Sequence, residues 1–245
     1  MKIFATLCLA ASFSVYAAHP MVSDDTGTQG SGKWQFEANT DQAQSSRDGV
    51  RNRLGAYNSA MTYGLAESID VSLSVPYWRI RQDGSPSQSG VGDVGLAAKW
   101  RFYEQDGLSF ALKPSLSLPT GNKDKNLGAG RAGVGLAGVT TYTSGKLTWL
   151  GNVGLTYADN STGARKSLWA VSTGVQYALN ERLKLALDTG VYRNSDRSDS
   201  TNPSFALVGL IYSPSEQLDL DIGYKRGLNH AEYDRSFGIG LTTRW

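Results

Sequence analysis

Ser236-Phe237-Gly238-Ile239-Gly240-Leu241-Thr242-Thr243-Arg244-Trp245 is the stretch that decides the fold. Phe237, Ile239, Leu241 and Trp245 put an apolar or aromatic side chain at alternate positions, and Thr243 breaks the pattern once. A period of two marks a β-strand with one face toward an apolar phase. The stretch also has the length that a strand tilted at about 45° needs to cross a bilayer.

Read backward along the chain, the same alternation recurs until twelve segments are counted, the first at 34–43. The connections alternate in length. Short ones fall at 64–68, 104–107, 143–146, 178–182 and 213–217, and longer polar ones at 81–92, 119–131, 158–167, 194–203 and 226–235. The link 44–50 belongs with the long set although it is the shortest of them. Short turns at one end and long loops at the other are the layout of outer-membrane barrels. The predicted fold class is therefore all-β: a transmembrane antiparallel up-and-down β-barrel of about twelve strands over 34–245.

A soluble β-sandwich also alternates strands and turns. It does not need two aromatic belts. Here Tyr63, Trp100 with Phe102, Tyr142, Trp149, Tyr177, Tyr212 and Trp245 mark short-turn ends, while Tyr77, Tyr157, Trp169, Tyr224 and Phe237 mark the opposite ends. Rings with one polar edge settle where hydrocarbon meets water. Composition agrees, with 12 Tyr and 6 Trp against 7 Phe. A mean hydropathy of −0.32 does not argue otherwise, because lipid-facing and lumen-facing residues cancel in a barrel.

The first residues carry Lys2, an apolar run from Ile3 to Val15 and then Tyr16-Ala17-Ala18, the pattern of a secretory signal peptide cleaved after Ala17. Residues 1–17 are thus predicted to be removed, and with them Cys8, the only cysteine. Residues 18–33 read as a short periplasmic segment, polar and too small to plug a large barrel. A net charge of +2 implies no nucleic-acid partner.

If the ring-bearing face looks outward, the other face looks into the lumen. That rule sends Glu37, Asp70, Lys99, Arg101, Lys113, Lys184, Asp188, Asp219, Asp221, Lys225 and Arg244 inward, with Gln176 beside them. Placing Arg or Lys toward lipid at mid-membrane costs about 2–4 kcal/mol, so the register is self-consistent. The mixed signs can pair across the lumen and narrow it. Lys99, Arg101 and Lys113 on neighbouring strands are the candidate selectivity filter. Pro76, Pro114 and Pro119 sit in or beside strands of a sheet without edges and call for bulges or strand ends.

Catalytic chemistry is not legible. His19 and His230 have no nucleophile motif or orienting carboxylate around them. Asp25-Thr26-Gly27 occurs once, without a second lobe to supply a partner aspartate. Asp24 and Asp25 are followed by no ligand-spaced loop for a hard cation. Gly128-Ala129-Gly130 precedes a strand rather than a helix, so it is no phosphate loop. The reading is of a non-enzyme with no cofactor, metal or catalytic residue.

The stretch His19-Pro20-Met21-Val22-Ser23-Asp24-Asp25-Thr26-Gly27-Thr28-Gln29-Gly30 resembles the start of the bacterial outer-membrane family called putative MetA-pathway of phenol degradation. Tyr63-Gly64-Leu65, Val75-Pro76-Tyr77, Gly92-Asp93-Val94, Lys99-Trp100-Arg101-Phe102-Tyr103, Lys113-Pro114 and Leu118-Pro119-Thr120-Gly121 extend the likeness. The resemblance implies a barrel beside aromatic degradation pathways and supplies no site residues.

The expected function is passive passage of small molecules, hydrophobic or aromatic compounds among them, through a Gram-negative outer membrane, with the N-terminus periplasmic. The expected partners are outer-membrane lipid, the solutes, and the assembly machinery through the strand ending at Trp245. The alternative is a structural barrel whose loops, 193–202 above all, bind an outside partner.

Overall fold

The computed structural model describes residues 19–245, so the predicted signal segment and Cys8 lie outside the described residues. The strands are β1 (Trp34–Arg47), β2 (Val50–Ala66), β3 (Ile69–Gln82), β4 (Gln88–Val91), β5 (Val94–Gln105), β6 (Leu108–Leu118) and β7 (Gly133–Ser144). Then follow β8 (Leu147–Ala158), β9 (Ser167–Ala178), β10 (Leu183–Tyr192), β11 (Ser204–Ser215), β12 (Leu218–Gly227) and β13 (Arg235–Arg244).

Local chemistry sets the tightest turns. Asp48-Gly49 and Asp106-Gly107 take positive φ at both residues, 49° with 78° and 51° with 79°. Asp-Gly pairs in this conformation match the twist of the strands they join. The connection 44–50 therefore shrinks to a two-residue turn, and β1 and β2 run well beyond the segments read from the sequence.

Consecutive strands pair antiparallel, and β13 then pairs with β1 from Gln35↔Arg244 to Gln44↔Arg235. That last ladder closes the sheet and leaves no edge, as a lipid-embedded sheet requires. The result is a twelve-stranded barrel with one additional strand, β4. Pro76 is the reason for the extra strand. β3 pairs with β5 from Ile69↔Trp100 to Ser74↔Gly95, and with β4 from Tyr77↔Val91 to Ile80↔Gln88. Pro76 has no N–H to give; its carbonyl accepts from Gly92 at 2.8 Å and the register slips by one residue. β4 and β5 are two halves of one span with a bulge between them.

Pro114 interrupts its ladder without a slip: β5–β6 pairing skips from Ala97↔Ser115 to Trp100↔Leu112 in one register, and the bulge comes later, between Arg101 and Tyr103. Pro119 lies just past the end of β6.

The faces are inverted relative to a water-soluble protein. Outside, large apolar side chains stand bare, Leu155 at 65% and Val153 at 56% exposure. Among the described residues, buried polar residues outnumber buried apolar ones, 17 to 13. The apolar clusters inside are small, Ala111 with Ala137 and Val139, and Met21 with Leu150, Ala186 and Ile211. Burial of a hydrophobic core does not hold this molecule together. Ladder hydrogen bonds and solvation of the outer face do.

Val153 lies midway between the outward rings of Trp149 and Tyr157 on β8. Val153→Arg should destabilise the barrel in lipid vesicles by about 2–4 kcal/mol. Urea titration read by the folded band on unheated gels measures it. An unchanged midpoint would place this face away from lipid.

Candidate functional site

The lumen is lined by its own N-terminal segment. Residues 19–29, expected to hang below the barrel, run along the inner wall instead. Fifteen residues, 19–33, reach up to about 50 Å when extended. That is too little to fill a barrel but enough to run around its inside.

The path can be followed contact by contact. The His19 ring lies over Gly238 and Gly240 of β13, and Pro20 lies over Gly209 of β11 and Gly223 of β12. A Cβ at Gly223 would fall 2.6 Å from Pro20 Cβ, so the bare backbone of the wall makes room for the segment. Asp188 of β10 accepts from the Val22 amide at 2.6 Å and from the Ser23 amide and hydroxyl at 2.8 and 2.7 Å. Asn152 of β8 clamps Asp24 both ways, accepting from its N–H at 2.5 Å and donating to its C=O at 2.9 Å. Thr26 meets Thr141 of β7 and Ser109 of β6. The Gln29 amide donates to Asp70 of β3 at 3.1 Å, and Gly32 donates to Gly64 of β2 at 2.8 Å. The chain then enters β1, having made nearly a full lap.

Charge keys the segment to the wall. One side of the lumen is acidic, with Asp188, Asp221 and Asp41; the other is basic, with Lys99, Lys113 and Arg101. His19 faces the acids: Nδ1 is hydrogen-bonded to Asp221 and Nε2 stands 3.6 Å from Asp41. Asp24 faces the bases, with Lys99 Nζ at 3.0 Å and Lys113 Nζ at 2.7 Å, all three groups shielded from water. Lys99 also donates to the carbonyls of Asp25 and Gly27 at 2.8 and 3.3 Å. Burial disfavours the charge on His19, but hydrogen bonds to Asp221 and Asp41 outweigh it and raise its pKa to about 9. Burial likewise works against the Asp24 carboxylate, and the two lysines overcome it and hold it below the usual carboxylate range.

The structure gathers Asp70, Lys99, Lys113, Asp188 and Asp221 around this segment. Glu37 sits apart: Gln35 donates to one of its oxygens at 2.7 Å, and the other, buried, has no hydrogen-bond partner. It borders a cavity of about 500 Å³ at the short-turn end, shared with Asp70, Lys99, Lys113, Trp34 and Trp245. The rest brace the wall. Asp219 pairs with Arg244 at 2.8 Å, Arg101 with Glu104 at 3.2 Å, and Lys225 lies 3.6 Å from Glu232 and 5.5 Å from the Phe205 ring centre. Gln176 touches Met21. Lys184 is exposed near the short-turn end and joins none of these groups.

Sequence reasoning missed His19 and Asp24 as parts of the lumen because they were weighed only as catalytic or metal-binding groups. A signal was available: Lys99 and Lys113 point inward on adjacent strands, two cations against one directly opposed wall carboxylate, Asp70 across from Lys99. The loop 193–202 is held from within, since Arg165 donates to the carbonyls of Asn194, Asp196, Arg197 and Asp199.

The family model described as "Putative MetA-pathway of phenol degradation" matches residues 17–245. A search of curated proteins found no match. Solved structures with this architecture include an outer membrane channel from Pseudomonas putida F1, 15% identical over 90% of this chain and 98% of its own, with a TM-score of 0.71. The KdgM porin is 7% identical, covers 85% of this chain and 98% of its own, and has a TM-score of 0.58. The translocator domain of the autotransporter NalP from Neisseria meningitidis is 14% identical, covers 90% and 91%, and has a TM-score of 0.55. At these identities the likeness is one of fold: these are outer-membrane barrels, and this chain has the same closed-barrel architecture.

Docking of the segment should depend on pH through His19. Its pKa rises from 6.5 free to about 9 docked, so the stabilisation is complete below the free value and is lost as pH climbs through the docked one. A nitroxide on Val22→Cys should gain mobility between pH 7 and 10, and His19→Gln should abolish that transition. Mobility that ignores pH would remove His19 from this role.

Proposed function

We propose that this chain, which belongs to the family described as "Putative MetA-pathway of phenol degradation", is a passive outer-membrane channel for small molecules whose N-terminal segment sets the aperture. The observation that carries the reading is the lap of residues 19–29 around the inner wall, fixed by buried ion pairs and hydrogen bonds, with Met21 seated in a small apolar cluster.

Mechanism follows from that layout. Solutes move down their gradient through the lumen, and the side chains along it act by charge and shape. With the segment docked, Asp24 neutralises the basic wall and His19 the acidic one, and the remaining passage is narrow. With it undocked, Lys99, Lys113 and Arg101 face Asp188 and Asp221 across open water, producing a transverse field that orients polar solutes. Glu37, Asp70 and the cavity they border form the vestibule at the short-turn end.

Hydrophobic or aromatic compounds are the proposed solutes, on the family's description alone. The long loops face outside and the short turns face the periplasm, as in barrels generally, so the N-terminal segment joins β1 at the periplasmic end and lies in the lumen. The exposed terminal residue Trp245 ends the strand offered to the assembly machinery. Loop binding of an outside partner has less support, because the backbone of 193–202 is already engaged by Arg165.

Single-channel recording in planar bilayers tests the aperture. Asp24→Asn should raise conductance several-fold and shift selectivity toward anions, because it removes the carboxylate shared by Lys99 and Lys113. Gly223→Val should raise conductance without that shift, by pushing Pro20 off the wall. If both variants keep the parent conductance and selectivity, the segment does not set the aperture. Liposome swelling with charged, neutral and aromatic solutes then ranks the substrates.

A further inference from the structure

The outer surface carries a row of arginines, five of which no other group among the described residues pairs with. On the outward face of β12, β13, β1, β2 and β3, directly paired positions read Arg226↔Arg235, Arg235↔Gln44, Gln44↔Arg53 and Arg53↔Arg81. Arg79, opposite Gly55, and Arg51, opposite Ser46, flank the row. All six arginines are exposed. Among the described residues no ion pair or side-chain hydrogen bond engages Arg51, Arg53, Arg79, Arg81 or Arg235, and only Arg226 lies within electrostatic reach of a carboxylate, that of Asp234.

Like charges directly opposite one another destabilise a sheet, and here the pairing is imposed twice, at Arg226/Arg235 and at Arg53/Arg81. The level of the row explains what offsets that cost. Toward mid-membrane on the same face stand Tyr224 paired with Phe237, one step in from Arg226 and Arg235, and Tyr57 paired with Tyr77, two steps in from Arg53 and Arg81 and one from Arg79, these last two rings 6.2 Å apart edge to face. Aromatic rings sit at the hydrocarbon boundary, so the arginines lie at headgroup depth on the long-loop side. Guanidinium groups match phosphate with two parallel hydrogen bonds, and cations at this depth attract anionic headgroups.

We propose that this row is a binding site for the phosphorylated headgroup of an outer-leaflet lipid. The lipid's phosphates lie across β13, β2 and β3, shielding Arg235, Arg53, Arg79 and Arg81 from one another while its acyl chains cover Tyr57, Tyr77 and Phe237. The site is separate from the lumen and independent of what the channel passes.

Native mass spectrometry of the full mature barrel in detergent tests this with bis-phosphorylated lipid A, the same lipid stripped of phosphate, and inorganic phosphate alone. Each arginine is worth on the order of five-fold in affinity at such depth. Arg53→Gln with Arg81→Gln should therefore weaken binding of the phosphorylated lipid roughly 25-fold by that reckoning. Lys146→Gln with Arg182→Gln, removing equal charge at the short-turn end, should leave it unchanged, as should single-channel conductance for either pair. Equal binding of phosphorylated and stripped lipid, or of inorganic phosphate as tightly as lipid, would overturn the proposal. So would equal weakening by both pairs of substitutions. The arginine variant's folded band on unheated gels distinguishes loss of the site from loss of the barrel, and a variant that folds and still binds at parent affinity counts against it.

Discussion

Hydrocarbon offers no hydrogen bond to a peptide group, and every other feature of this molecule follows from that. The ladder between β1 and β13 removes the last free edge, and once the sheet is closed each residue must look either to lipid or to the lumen. The period of two then becomes a sorting rule with a large penalty for error. Charges go inward, rings and aliphatic chains go outward, and the interior becomes the polar compartment.

A polar compartment of this size creates a second problem. Lys99, Lys113, Asp188 and Asp221 stand within a narrow, partly dry space, where an unpaired charge is costly. Water alone meets that cost in a wide pore. Here a peptide meets it, carrying one cationic ring, one carboxylate and a run of backbone amides to the places that want them. The same contacts that satisfy the wall also occupy the passage, so the proposed function couples stability to aperture: in that reading, loosening the segment opens the lumen and exposes the charges together. The proposed lipid site at the arginine row outside follows the same logic, with the compensating groups supplied by the membrane instead of the chain.

Much of the barrel was legible in the residues. The alternation in 236–245, the two ring belts and the alternation of turn lengths each reflect a local rule, and the structure has the strands where those rules put them. Departures are equally local. Asp48-Gly49 turns more tightly than a loop of the long set, and Pro76 splits one span into β4 and β5 because it has no N–H for the ladder. The lumen candidates were found by parity alone, which names the face of a residue but not its partner. Parity therefore left Lys184, exposed near the barrel mouth, on the same footing as Lys113, deep inside against Asp24.

By itself the sequence determined the strand faces, the approximate strand number and the membrane environment, because these depend on neighbours two residues apart and on lengths matched to a bilayer. Only the tertiary structure decided where residues 19–33 go, which carboxylate serves Lys99 and Lys113, and that four strands line up their arginines. Those facts depend on groups far apart in the chain, such as His19 and Asp221, separated by 202 positions. Closure of the barrel brings such groups within reach, and no repeat in the sequence encodes the distance between them.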